Sequence, residues 1–159
     1  MPPSTRVSIG ADRNEIARVN AAFDAFADAH ALPDAVRRSV SVVLDELLTN
    51  ILSYGLAEHG GEVIVDIELH ADRLVITISD NGRPFDPFSS SPPDTTLSVE
   101  DRDIGGQGIH LVRRMVDELS YHRRSDRNIV VLTKRLGGGA TAGHSEREAG
   151  GRGDGDHDA

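Results

Sequence analysis

The sequence lacks several features that mark particular classes of protein. No cysteine occurs among its 159 residues, which excludes disulfides and thiolate metal ligands. Aromatic residues make up only 4%, so aliphatic side chains and alanine must build the core. No apolar run approaches the roughly 20 residues that span a bilayer, and the first residues lack the apolar segment of a secretory signal. We therefore expect a cytoplasmic protein with no membrane segment.

Positive charge is also scarce, since the formal net charge is −9. A general nucleic-acid binder depends on a basic footprint, so no nucleic-acid partner is expected. An acidic protein can still bind an anionic nucleotide if a divalent cation and backbone amides offset the repulsion.

Composition divides the chain near residue 136. Residues 137–159 are rich in glycine and carry two arginines against five acidic residues, with almost nothing apolar beyond alanine. Such a segment cannot bury enough surface to offset the entropy lost on ordering. We expect one folded domain over residues 1–136 and a disordered acidic tail over residues 137–159.

Hydrophobic periodicity within the folded part predicts an α+β domain. The predicted strands cover residues 5–9, 62–69, 73–79, 120–123 and 128–135, and the predicted helices cover 12–31, 34–55 and 109–119. Residues 80–108 show no regular pattern, and a loop of this length is typical of a functional lid or a disordered segment.

The second predicted helix carries Glu46 and Asn50 four residues apart. That spacing places them on one side of the helix, next to the apolar positions Val43 and Leu47. A carboxylate and an amide held at the rim of a core can coordinate a cation or orient a nucleophile. The alternative is a helix surface with two unrelated polar residues.

The turn Asp80-Asn81-Gly82 follows directly on a predicted strand. A carboxylate at a strand end can accept a hydrogen bond from an exocyclic amine, and the glycine lets the backbone approach a flat ligand. Because Asn-Gly is a favoured turn pair, an ordinary β-turn is the alternative interpretation.

A third motif, Gly105-Gly106-Gln107-Gly108, opens the last predicted helix. Exposed backbone amides and the positive end of the helix dipole favour an anion such as phosphate. The spacing matches neither the dinucleotide fingerprint nor the P-loop, and a flexible hinge is the alternative.

Together the motifs E-x-x-x-N, D-N-G-x-P-F and G-G-x-G, in this order, resemble the ATPase superfamily of gyrase B, Hsp90, histidine kinases and MutL. The resemblance covers residues 5–136 and is closest to the small anti-sigma-factor serine kinases of bacteria. It implies a Bergerat-type ATP-binding fold, which is a two-layer α+β sandwich. In that fold, helices cover one face of a mixed, mostly antiparallel sheet.

The resemblance also implies ATP and Mg²⁺ as cofactors and assigns roles to individual residues. Asn50 would ligate the Mg²⁺ that bridges the phosphates, and Glu46 would be the general base that takes the proton from an attacking serine hydroxyl. Asp80 would bind the adenine amine, with Gly82 allowing close approach of the ring.

Phosphates would lie against Gly106 and Gly108, beneath a lid over residues 86–105. Arg102, the one basic side chain of that lid, would contact a phosphate. One departure concerns the last strand, which opens with Gly-Thr in the family and with Arg127-Asn128 here. The threonine helps around the phosphates and adenine in relatives, so we expect a lower nucleotide affinity.

The resemblance implies a protein-serine kinase that phosphorylates a small anti-anti-sigma (antagonist) protein, sequesters a sigma factor and forms a homodimer. An ATP-binding switch or adaptor with little or no kinase activity is the alternative, and simple ATP hydrolysis is a third reading. Retention of Glu46 favours the kinase, because binding alone needs Asp80, Gly82 and Asn50 but no base.

Overall fold

An antiparallel sheet of five strands forms one layer of the domain. The computed structural model describes residues 1–56, 60–89 and 104–137. Its strands are β1 (Ser4–Ile9), β2 (Val63–Leu69), β3 (Arg73–Asp80), β4 (Glu118–Arg124) and β5 (Arg127–Arg135). Their spatial order is β1-β2-β3-β5-β4, and each neighbouring pair is antiparallel. The described sheet is therefore more uniform than the mixed sheet expected.

Helices form the second layer. They are α1 (Ile16–Ala29), α2 (Asp34–Asn50) and α3 (Ile104–Met115), with a 3-10 turn (Arg13–Glu15) before α1 and a π-helical turn (Ile51–Gly55) after α2. In β3, Leu74, Ile76 and Ile78 are buried while the residues between them are partly exposed, as expected for a sheet covered on one face. The α+β two-layer fold is confirmed.

The core joins the two layers along α2. Its buried positions recur at helical spacing, which is why the sequence pattern predicted this helix well. They are Val36, Val40, Val43, Leu44, Leu47 and Leu48. This packing holds one side of α2 fixed against the sheet and so fixes the direction of the polar residues at its edge.

The position of α3 corrects the sequence prediction. The helix covers Ile104–Met115 instead of residues 109–119, and β4 already begins at Glu118. Three glycines in the first turns have low helix propensity and made this stretch resemble a loop, but burial of Ile109 and Val112 in the core stabilises the helix. Pairing of Leu119 with Leu132 places residue 119 in the sheet, although its spacing continued the helical pattern.

Two predicted segments lie largely outside the described residues. Of the predicted tail, only Gly137 is described, and of the predicted lid the structure describes its start up to Ser89 and its end from Ile104. Among residues 1–56, 60–89 and 104–137, no helix combines the length and apolar character needed to cross a membrane.

Candidate functional site

The first part of the candidate site is the edge of α2 that carries Glu46 and Asn50. Glu46 is half-buried, whereas the Asn50 side chain is 5% exposed. Within the described part of the chain, Asn50 Nδ2 is buried and has no hydrogen-bond partner. Because buried polar groups are normally hydrogen-bonded, this amide has binding capacity that the described residues do not use.

Asp45, the neighbour of Glu46, has a different environment. It is exposed, and its Oδ1 accepts a 2.7 Å hydrogen bond from Asn20 Nδ2 on α1. The two adjacent carboxylates therefore point to different sides of α2, about 100° apart as helical geometry requires. Only Glu46 lies on the side of Asn50.

The π-helical turn after α2 connects this edge to the Asp80 turn. It begins directly after Asn50, and such turns often occur at functional sites. The carbonyl oxygen of Tyr54 accepts from Arg83 Nε at 2.6 Å, and that of Gly55 accepts from Arg83 N at 3.2 Å. The structure thus brings the first two sequence motifs together.

Gly82 is where the two segments approach most closely. A Cβ atom at this position would lie 2.5 Å from the Gly55 carbonyl oxygen and 2.7 Å from Leu56 Cδ2. No side chain fits there, because backbone atoms cannot give way as a flexible side chain can. The structure gives Gly82 a packing role in addition to the ligand approach that the sequence suggested.

Asp80, the last residue of β3, is 2% exposed. Its Oδ1 accepts hydrogen bonds from Gly82 N at 2.9 Å and from Asn128 Nδ2 at 3.0 Å. The bond to Gly82 is the side-chain turn expected of an aspartate two residues before a glycine. The carboxylate is buried more deeply than in an ordinary surface β-turn, and its contact with adenine stays a prediction.

Asn128 is the functional residue that sequence reasoning missed. It lies opposite Asp80 in the β3–β5 register and is 2% exposed. Its Nδ2 donates to Asp80 and also to the Arg83 carbonyl oxygen at 2.8 Å. Its Oδ1 accepts from Phe85 N at 3.1 Å, Tyr121 Oη at 2.5 Å and Arg123 Nη1 at 3.1 Å. The sequence could have indicated this role only if the pairing of β3 with β5 had been known, because that pairing places the Asn128 amide opposite the Asp80 carboxylate.

Arg113 on α3 contacts the segment that leads into the predicted lid. Its guanidinium donates to the Phe88 carbonyl oxygen at 2.8 Å and lies 5.5 Å from the Phe88 ring centroid, within the range of a cation–π contact. The described start of the predicted lid is therefore attached to α3.

The predicted phosphate-binding residues are placed only in part. Gly106 lies in the first turn of α3, where backbone N–H groups lack intrahelical acceptors, and Gly108 lies just beyond that turn. A helix amino terminus favours an anion, and the contact of Gly106 with a phosphate stays a prediction. Arg102 lies outside the described residues.

The donor set also agrees with a magnesium ion bound together with phosphates. The described residues contain no group of three or more histidine and acidic side chains that could hold a metal. Mg²⁺ in nucleotide sites is typically bound by one or two protein oxygens plus phosphate oxygens and water. Only the amide oxygen of Asn50 could ligate such an ion, whereas its unpartnered Nδ2 is a donor and suits a phosphate oxygen.

Comparison with known proteins agrees with this fold. Residues 9–134 match the family described as the histidine kinase-like ATPase domain. The chain therefore belongs to this family, as its three motifs indicated.

Named relatives lie among bacterial kinases. The chain is 32% identical over 100 residues to the serine/threonine-protein kinase BtrW of Bordetella bronchiseptica, covering 62% of this chain and 70% of that protein. It is 33% identical over 102 residues to the serine-protein kinase RsbW of Bacillus cereus, covering 61% of this chain and 62% of that kinase.

A solved structure has a similar fold. It contains the RsbU and RsbW domains of Rv1364c from Mycobacterium tuberculosis and matches with a TM-score of 0.62 at 15% identity. The match covers 84% of this chain and 32% of that one.

Proposed function

We propose that the protein is an ATP-dependent protein-serine kinase of the anti-sigma type. It would phosphorylate a small antagonist protein, sequester a sigma factor and act in the cytoplasm as a homodimer. The observation that carries the proposal is Glu46, which lies one helical turn before the buried amide of Asn50 and on the same side of α2. The names of the two kinase relatives support the same reaction.

Nucleotide binding is assigned to two separate groups of residues. Asp80 accepts a hydrogen bond from the adenine amine, and Gly82 keeps the adjoining turn close to Gly55. Gly106 and Gly108 contact the phosphates through backbone amides, together with Arg102.

The chemical step is assigned to Glu46 and Asn50. Asn50 would hold Mg²⁺ beside the phosphates, and the ion would supply the positive charge that an acidic chain lacks. Glu46 accepts the proton of the acceptor serine as its hydroxyl oxygen attacks the γ-phosphorus, and the bond from that phosphorus to the β–γ bridging oxygen breaks to release ADP. Phosphoryl transfer depends mainly on positioning and on neutralisation of charge, so one oriented base is sufficient.

The neighbouring carboxylates of α2 provide a matched test. Glu46→Gln removes the base and keeps the shape, whereas Asp45→Asn changes an exposed carboxylate that faces α1. With labelled ATP and a candidate antagonist protein, Glu46→Gln should lower phosphate transfer by about 100-fold or more while ADP binding stays intact. Asp45→Asn should transfer phosphate like the unmodified protein. Equal transfer by both variants would remove Glu46 from the catalytic role.

The second candidate is an ATP-binding switch or adaptor without kinase activity. It is favoured by the hydrogen-bonded Asp80 turn, which is complete without any contribution from Glu46. The same experiment separates the two functions, because a switch would bind ADP but transfer phosphate to no antagonist, and Glu46→Gln would change nothing.

A further inference from the structure

The two oxygens of the Asp80 carboxylate differ in the hydrogen bonds that they accept. Its Oδ1 receives two N–H donors, from Gly82 and Asn128, which satisfy both lone pairs of that oxygen. Its Oδ2 receives no hydrogen bond from any described residue. The two bonds to Oδ1 hold the plane of the carboxylate, so the direction in which Oδ2 can accept is fixed as well.

The orientation of the Asn128 amide follows from its neighbours. Three donors face its Oδ1, and two of them, Phe85 N and the Arg123 guanidinium, cannot act as acceptors. Two acceptors face its Nδ2, namely Asp80 Oδ1 and the Arg83 carbonyl oxygen. A flipped amide would oppose like groups on both sides, so the NH₂ group points at Asp80.

Only an amide meets both demands at this position. A carboxylate could accept from Phe85, Tyr121 and Arg123 but could not donate to Asp80. A hydroxyl could donate to Asp80 but is too short to replace every bond on the other side. The residue that the family pattern treats as a departure is therefore the residue that sets the orientation of Asp80.

We propose that Asn128 is a positioning residue: its NH₂ group holds Asp80 Oδ1, so that Oδ2 is aimed at the 6-amino group of the nucleotide already assigned to Asp80, and the preference for 6-amino over 6-oxo purines depends on this bond. A carbonyl oxygen at position 6 would face the carboxylate as a second acceptor, which is unfavourable in a buried site. The inference rests on the proposed function, because it concerns the nucleotide of the same site.

Adenosine diphosphate and inosine diphosphate are suitable probes, since they share ribose and phosphates and differ only in the group at position 6 and in the proton that the 6-oxo base carries on N1. The quantity to measure is the ratio of their dissociation constants, which a general loss of folding or of phosphate contacts would leave unchanged. The unmodified protein should prefer adenosine diphosphate by about 100-fold, as expected for a buried partner left unpaired.

Asn128→Asp keeps the acceptor oxygen and replaces the NH₂ group by an oxygen facing Asp80. We expect the preference to fall to less than about threefold, because Gly82 N alone then holds Asp80 and the new oxygen opposes its carboxylate. Arg123→Ala is the control, since it removes one donor to Asn128 Oδ1 and one to the Gly82 carbonyl oxygen but keeps the bond between Asn128 and Asp80. That variant should keep the preference.

Asn128→Ala and Asn128→Thr keep the inference testable if the aspartate variant does not fold. Alanine removes both halves of the amide, while threonine restores a hydroxyl donor beside Asp80. The preference should be lost with alanine and at least partly regained with threonine.

Two results must be distinguished. If the unmodified protein binds neither nucleotide, the proposed function fails. If it prefers adenosine diphosphate and Asn128→Asp or Asn128→Ala keeps that preference, the nucleotide site stands and the role of Asn128 is wrong.

Discussion

The two ends of the candidate site differ in how fully their polar groups are satisfied. At one end, Asp80 and Asn128 are each 2% exposed and hydrogen-bonded to each other and to the turn around them. At the other end, Asn50 is equally well enclosed at 5% exposure, yet its Nδ2 has no partner among the described residues. At the first end the described residues already hold Asp80 in place through its Oδ1, whereas at the second end no described residue holds the Asn50 NH₂ group.

This difference has an energetic meaning. Satisfied buried groups contribute to the stability of the fold, while an unsatisfied buried group lowers it by about 1–3 kcal/mol. Substitutions at the Asp80 end should therefore weaken both nucleotide binding and stability. Substitution of Asn50 by an apolar residue should weaken Mg²⁺-dependent nucleotide binding but raise stability.

The largest effect is expected for Asn128→Leu. Leucine has a similar volume but leaves the groups around it without their partner, including Asp80 Oδ1, the Arg83 carbonyl oxygen and Phe85 N. The free energy of unfolding should fall by about 4 kcal/mol, because several buried groups lose a hydrogen bond at once. Urea denaturation followed by circular dichroism measures this, and a loss below about 1 kcal/mol would show that the Asp80 end is not tightly built.

Gly82→Ala should have the next largest effect, because it acts on the junction between the two ends. The added Cβ would lie 2.5 Å from the Gly55 carbonyl oxygen, so the turn must move away from the end of α2. We expect a loss of about 2–3 kcal/mol in the same denaturation experiment.

Gly10→Ala is the matched control for this substitution. Its Cβ would meet Glu15 Oε2 at 3.4 Å, an ordinary contact with a side chain. Its stability should change by less than about 0.5 kcal/mol. Similar losses in the two variants would mean that the close approach at Gly82 is not what limits the position to glycine.

Asn50→Leu should have the smallest effect on stability and the opposite sign. It replaces a buried amide that lacks a partner by an apolar side chain of similar size, so the free energy of unfolding should rise by about 1 kcal/mol. Thermal denaturation without nucleotide measures this change. A clear loss of stability would show that the Asn50 amide is already satisfied in the free protein.

The helix that carries Glu46 and Asn50 could be predicted well from the sequence. The apolar residues of α2 repeat at helical spacing, and the structure buries the same face. The strands β2 and β3 were equally clear, because their side chains alternate between buried and partly exposed positions. In these elements the positions that are apolar in the sequence are the positions that the fold buries. Secondary structure can be predicted from one sequence where this holds.

The junction between the two ends could not be predicted. Nothing local in Ile51–Gly55 distinguishes a π-helical turn from a continued α-helix. The residue that donates to the carbonyl oxygen of Tyr54 in this turn is Arg83, which lies far along the chain. Asn128 was missed for a related reason, since its role depends on the register of β5 against β3. The start of α3 was placed too late because glycine propensity was given more weight than the packing of Ile109.

The central claim is that both ends belong to one nucleotide site, and calorimetric titration with adenosine diphosphate, with and without Mg²⁺, tests it most directly. In the unmodified protein Mg²⁺ should strengthen binding. Asn50→Leu should abolish that strengthening and keep the binding seen without Mg²⁺. Asp80→Asn turns an acceptor into a donor at the Asp80 end, where the adenine ring is expected. It should weaken binding by about tenfold or more in both conditions. If both variants bind the nucleotide as the unmodified protein does, the account of a single site is wrong.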